Sequence, residues 1–276
     1  MIPKIANFFW HGGPMSWLRY TTLSSFRQYN PEWEIRLYTP TTKCSVKTWK
    51  SAEMDDQGYS GKDYLEELEP LNIKKYQWVP PIQNLSPAHA CDLFEWDILS
   101  TVGGVYSDMD ILYVRPIEAA YLQMKEKDAV FCLESESEMA IGFFMSSPNC
   151  QLFRAIYNKA LDFANTNNYQ CFGTEAVYRS VNLWPVNLRK NPDTGCKAVE
   201  RFRSNFSNLK IARLSKESVY PYAWQHVDKI FNGTYTIPSD CFGIHWFGGA
   251  PLAQDINRRW TENNHPHSST FCRMLH

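Results

Sequence analysis

The sequence predicts an α/β fold with a Rossmann-like mixed sheet and flanking helices. Three observations lead there. The chain opens strand, turn, helix, strand; a strongly patterned helix later passes through Gly103-Gly104 directly into an apolar strand; and 276 residues, 44% of them hydrophobic, can bury a large core. Lys4 to Trp10 is a short apolar segment ended by Gly12-Gly13-Pro14, a buried strand and a turn. Trp17, Leu18, Thr21, Leu23, Phe26 and Tyr29 follow at helical spacing, and Asn30-Pro31 stops that helix because proline cannot continue it. Trp33 to Tyr38 alternates apolar and charged residues as a second strand does, which completes a βαβ unit and calls for parallel pairing.

Residues 40–70 are polar and weakly patterned, with a short helix expected at 62–68. The next strong helix spans 86–102: Ser86 is placed to cap it, Pro87 occupies the first position, and Gly103-Gly104 closes it. Val105 to Val114 then reads as one apolar strand interrupted by Asp108 and Asp110. Further strands are expected at 129–133, 140–146, 209–214 and 242–247, with helices at 149–164 and from about Gly173, and irregular chain over 185–208. No linker interrupts the middle, so one domain over 1–276 is expected.

Lys and Arg number 28 against 29 Asp and Glu, and no basic block stands out, so nothing advertises a nucleic-acid partner. The eight cysteines are dispersed without the two-residue spacing of zinc or redox motifs and read as mostly reduced. Met1 to Ile5 lacks the basic flank and apolar run of a signal peptide, and no apolar window reaches the roughly eighteen residues of a membrane span. The expectation is a cytoplasmic protein, at most peripherally associated with membranes that carry its substrate.

Ser107-Asp108-Met109-Asp110 is the sharpest chemical feature. Two carboxylates one residue apart in an apolar strand must be compensated, and a divalent cation with hard oxygen ligands, Mn²⁺ or Mg²⁺, is one compensation. Along an extended strand the two side chains point to opposite faces, so both can meet one ion only if the chain bends at a strand end. A solvated loop carrying the same triplet is the other reading.

Ala88-His89-Ala90-Cys91-Asp92-Leu93-Phe94-Glu95-Trp96-Asp97-Ile98-Leu99, followed by Gly103-Gly104-Val105-Tyr106-Ser107-Asp108-Met109-Asp110, resembles the sugar-binding region with the DXD motif of glycosyltransferase family 32. Yeast-type mannosyltransferases, capsule-synthesis enzymes and, more distantly, clostridial glucosylating toxins belong to that group. Ile2-Pro3-Lys4-Ile5 with Trp10, then Asn30-Pro31-Glu32-Trp33-Glu34, is similar to its N-terminal pattern, and Gly243-Ile244-His245-Trp246-Phe247-Gly248-Gly249 to the late histidine segment of related retaining enzymes. The resemblance is good over about residues 1–120 and loose beyond.

It implies a GT-A fold in which residues 1–120 bind a nucleotide-sugar, UDP-linked in preference to GDP-linked, and 121–276 bind a glycan or glycoconjugate acceptor. Asp110 would ligate the metal, Asp108 the metal or the donor ribose, and Asp92 would hydrogen-bond the donor sugar. His245 would be a metal or diphosphate ligand, and Phe9-Trp10 would line the base pocket. Glu175 and Trp246 are weaker acceptor-side candidates, and Trp224, His226 and Asp228 weaker still. The implied reaction is hexosyl or deoxyhexosyl transfer with retention, in polysaccharide or glycoprotein glycan synthesis. One departure stands out: the family usually has Arg three residues after Asp92, and this chain has Glu95. That leaves open whether the donor is a different sugar or another residue supplies the positive charge. The rival readings are an inactive sugar- or nucleotide-binding module of the same fold, and a metal-dependent phosphohydrolase.

Overall fold

A computed structural model describes residues 1–44, 59, 61–186, 192–233, 236–266 and 270–273. Its strands are β1 (Ile5–Phe9), β2 (Glu34–Pro40), β3 (Ile73–Trp78), β4 (Gly104–Ser107), β5 (Ile111–Tyr113), β6 (Ala129–Leu133), β7 (Met139–Ser146), β8 (Ile211–Leu214) and β9 (Gly243–His245). Its helices include α1 (Trp17–Tyr29), α2 (Pro87–Thr101), α3 (Glu118–Met124), α4 (Gln151–Asp162), α5 (Thr174–Ser180), α6 (Thr194–Asn205), α7 (Val227–Asn232) and α8 (Pro251–Arg259). Among the described residues, seven strands form one sheet in the order β3-β2-β1-β4-β7-β6-β8, and β5 pairs with β9 separately.

The βαβ expectation holds: β1 lies parallel to β2, and β2 to β3. Strand β4 then returns to the other side of β1, also parallel, so the strand order reverses between β1 and β4. β7 is antiparallel to both β4 and β6, and β8 runs parallel to β6. The sheet is therefore the mixed, mostly parallel one predicted, and the carboxyl ends of β1, β4 and β6 share an edge with the start of β7. In open α/β sheets a ligand crevice forms at that edge where the order reverses. Helix α2 begins as expected: the Ser86 hydroxyl accepts from the His89 amide and Pro87 sits in the first turn.

Four expectations are corrected. Residues 105–114 are two strands in two sheets, separated by a turn over Asp108–Asp110. Of 185–208, expected to be irregular, Thr194–Asn205 is helical, with Ala198, Val199 and Phe202 burying one face; 187–191 lie outside the described residues. The helix expected at 62–68 is a 3₁₀ segment, Tyr64–Leu71, and the rest of the polar 40–70 stretch falls largely outside the described residues. Strand β3 was not anticipated, because as an edge strand it keeps Lys74, Lys75 and Gln77 in solvent and shows no apolar alternation. Among the described residues no helix is long and apolar enough to cross a membrane.

Gly104 has φ +94, and a Cβ there would lie 2.4 Å from the Ile5 carbonyl oxygen. Its lack of a side chain lets β4 lie against β1, where buried Asn7 donates to the Gly103 and Val105 carbonyls. Gly104→Ala is expected to cost at least about 2 kcal/mol, read as a lower urea midpoint.

Candidate active site

Asp108 follows the last residue of β4, so the bend that the sequence required is present. Its amide donates to the Gly142 carbonyl across the antiparallel pair with β7 (2.8 Å). Helix α1 forms the shelf beneath the turn: Thr22 Oγ1 donates to the Met109 carbonyl (2.9 Å), and Ser25 Oγ accepts from the Tyr113 amide (3.1 Å). Strand β5 then pairs with β9 in a register that sets Ile111 opposite His245. The Trp246 amide donates to the Asp110 carbonyl (2.9 Å), and the Gly248 amide, 138 positions along the chain, donates to Asp110 Oδ2 (2.7 Å). His245 Nε2 thereby lies 3.2 Å from Asp110 Oδ1 and 3.7 Å from Asp108 Oδ2.

Burial disfavours charge on both partners, yet opposite charge outweighs it. His245 is raised to about 10, with Asp110 and Asp108 responsible. The Asp110 carboxyl is held well below the usual range by His245, Arg19 and the Gly248 amide. The Phe247 amide points at His245 Nδ1 from 3.3 Å, so the contacts on both ring nitrogens favour a proton on Nε2, facing the acids. Asp108 Oδ1 accepts from Tyr106 Oη (2.6 Å), which Cys91 Sγ also touches at 3.0 Å.

Ligand atoms of Asp108, Asp110 and His245 all lie within 4.8 Å of one another. Two hard oxygens and an imidazole suit a divalent cation, and the surroundings leave room for one. A Cβ on Gly142 would come within 2.7 Å of Asp108 Oδ2, 2.8 Å of Tyr220 Oη and 3.1 Å of His245 Nε2. Glycine at 142 keeps that cradle open.

The cluster opens into a cavity of about 600 Å³. Ala88, Cys91 and Asp92 line it from α2, on one helical stripe spaced by three and four residues. Trp224, 52% exposed, also lines it, whereas His226 and Asp228 do not. Other predicted residues are displaced. Phe9 is packed between Phe94 and Trp78 in the core, and Trp10 is buried with its indole N–H donating to the Gly13 carbonyl; neither lines the cavity. Glu175 is bound by Arg179 Nε (2.6 Å) and Asn168 Nδ2 (2.5 Å), away from the cavity. Trp246 is fully buried, and Arg19 lies over its ring. Glu95 is buried beneath the cavity-facing stripe of α2; burial, with Asp108 and Asp92 nearby, pushes its carboxyl well up, so it is held neutral.

Sequence reasoning passed over Arg19, Glu134 and Tyr220, all of which line the cavity. Glu134 had a signal, an acid immediately after the apolar strand β6; its burial and Glu138 raise it. Arg19 and Tyr220 carried none, being single residues in ordinary helix and loop contexts.

Residues 20–130 match the family described as the glycosyltransferase sugar-binding region containing the DXD motif. That region holds Asp92, Asp108 and Asp110. Over that stretch the chain carries the sugar-binding region of a DXD-type glycosyltransferase. No curated protein matches its sequence. Among solved structures, the PaToxG glycosyltransferase is similar at 13% identity, covering 75% of this chain and 78% of that one, with a TM-score of 0.44. GlyE of Streptococcus pneumoniae is 10% identical over 88% of this chain, with a TM-score of 0.45; the glycosyltransferase spans about half of GlyE, 55%. The galactosyltransferase LgtC, solved with donor and acceptor sugar analogues, is 11% identical over 91% of this chain and 93% of its own, with a TM-score of 0.41.

Two outcomes follow for this glycosyltransferase. Gly142→Ala fills the cradle and is expected to abolish Mn²⁺-induced thermal stabilisation while leaving the circular dichroism spectrum unchanged. For pH, a His raised from 6.5 to about 10 contributes stability that is complete below pH 6.5 and lost as pH climbs towards 10. The metal-free melting temperature should therefore fall over that interval more in wild type than in His245→Gln. A cation must replace the Nε2 proton, so the Mn²⁺-induced gain should grow over the same interval.

Proposed function

We propose that the enzyme transfers a sugar from a nucleotide-sugar, with UDP as its nucleotide, to a glycan hydroxyl in a divalent-metal-dependent reaction that retains anomeric configuration. The observation that carries this reading is the meeting of Asp108, Asp110 and His245 at the carboxyl edge of the sheet, where the strand order reverses, beside a cavity able to hold a nucleotide-sugar.

Asp108, Asp110 and His245 would hold the cation, and its mixed oxygen and nitrogen donors suit Mn²⁺ better than Mg²⁺. When bound, it supplies Lewis-acid neutralisation of the leaving diphosphate. Tyr106 fixes the Asp108 carboxylate and Gly248 fixes that of Asp110, so neither has to reorganise during the reaction. Asp92 reaches the cavity from α2 and accepts a hydrogen bond from a donor-sugar hydroxyl. Trp224 offers an exposed indole face on which an acceptor sugar stacks, with Glu134 on the same wall. In the retaining step the anomeric C–O bond to the diphosphate breaks, the acceptor oxygen bonds to that carbon on the same face, and the acceptor proton passes to a diphosphate oxygen. Residues 1–120 serve the donor and 121–276 the acceptor, apart from His245, which closes the donor site.

The test is nucleoside diphosphate release from UDP-, GDP- and dTDP-sugars, with Mn²⁺, with and without glycan acceptors. Release that depends on acceptor and falls more than about a hundredfold in Asp110→Asn is expected. Acceptor-independent release would make the protein a hydrolase, and no release with any donor would make it a binding module.

A further inference from the structure

Half-buried arginines among the described residues are satisfied by the protein itself, Arg36 and Arg179 by carboxylates and two others by backbone. Arg27 donates to the carbonyls of Leu71, Pro31, Trp33 and Asn72, and Arg115 to those of Pro238 and Cys241. Their guanidinium groups are satisfied by backbone, as structural arginines are. Arg19 differs. It is 3% exposed, its Nε is buried without a partner, and no guanidinium hydrogen bond forms among the described residues. Its ion pair with Asp110 is long, 3.9 Å from Nη1 to Oδ2. Asp110 does not need it, since Oδ1 faces His245 and Oδ2 takes the Gly248 amide.

The group is nevertheless held in place. Its guanidinium carbon sits 4.8 Å from the centroid of the Trp246 ring, and a Cβ on Gly248 would come within 2.5 Å of Nη2. Ser16, the N-cap of α1, anchors that end of the helix by donating to Asn257 of α8 (2.6 Å). Burying Nε without a partner is costly, and the side chain lines the cavity, so an acceptor for its remaining donors is expected there. Among the described lining residues it is the sole Lys or Arg, and its planar fork matches phosphate oxygens.

We infer that Arg19, the sole Lys or Arg among the described residues that line the cavity, donates to the diphosphate of the nucleotide-sugar donor. This rests on the nucleotide-sugar reading above. Arg19 lies one position before the segment that the family model matches. Its fixed charge stabilises the negative charge that gathers on the diphosphate as the anomeric bond breaks.

Calorimetric titration of UDP and of GDP in Mn²⁺, and of Mn²⁺ alone, on wild type, Arg19→Gln, Arg19→Lys and Gly248→Ala tests this. Arg19→Gln removes the charge, and Gly248→Ala displaces the guanidinium while keeping it and so serves if Arg19→Gln fails to fold. Both are expected to bind the preferred nucleotide about ten- to a hundredfold more weakly, with Arg19→Lys intermediate; the Mn²⁺ comparison is read on Arg19→Gln, which is expected to bind Mn²⁺ alone at least as tightly as wild type. Unchanged nucleotide affinity overturns the inference. So does a parallel loss of Mn²⁺ affinity, which would make Arg19 a support for Asp110 only. Failure of wild type to bind either nucleotide removes the nucleotide-sugar reading itself and this inference with it.

Discussion

Two carboxylates at the mouth of a buried strand need positive charge within a few ångströms, and much of this molecule is arranged around that need. Asp110 is 8% exposed and cannot rely on water. Its compensation comes from the far end of the chain, where β9 pairs with β5 and delivers His245, the Gly248 amide and, through Trp246, the platform under Arg19. Without the β5–β9 pair the acids would face one another with only Arg19 and a tyrosine hydroxyl for relief. The same charge balance lets a proton on His245 hold the cluster together.

Close approach is the second constraint, and glycine answers it repeatedly. Gly104 lets β4 lie against β1, Gly142 keeps the space among Asp108, Tyr220 and His245 clear, and Gly248 leaves room for the guanidinium of Arg19. Polar side chains on α1 then fix the turn from below through Thr22 and Ser25. A site built this way has its groups positioned by the protein's own contacts, which is what electrostatic stabilisation of a charged ligand requires.

Much of the fold was legible because local chemistry wrote it plainly. Ser86-Pro87 starts α2, Gly103-Gly104 ends it, and the apolar strand that follows leads to the acids at the sheet edge. Segments whose burial depends on neighbours were not legible: β3 shows no alternation because it is an edge, and α6 hides a single apolar face in polar sequence. The aromatic residues misled for a related reason. Phe9 and Trp10 lie at the end of a central strand and Trp246 follows His245, but whether an aromatic ring faces a cavity or the core is decided by what packs over it, and here all three are buried.

The sequence by itself determined the alternation of strands and helices, the placement of Asp108 and Asp110 just after an apolar strand, and the helix stripe that carries Asp92. These depend on periodicity, caps and breakers acting over a few residues. Tertiary structure alone decided that His245 meets those acids, that Glu95 is buried and neutral, and that Arg19 enters the cavity with its donors unspent. His245 and Arg19 meet the acids through pairing and packing between distant parts of the chain, and Glu95 is set by desolvation; local sequence pattern carries no record of either.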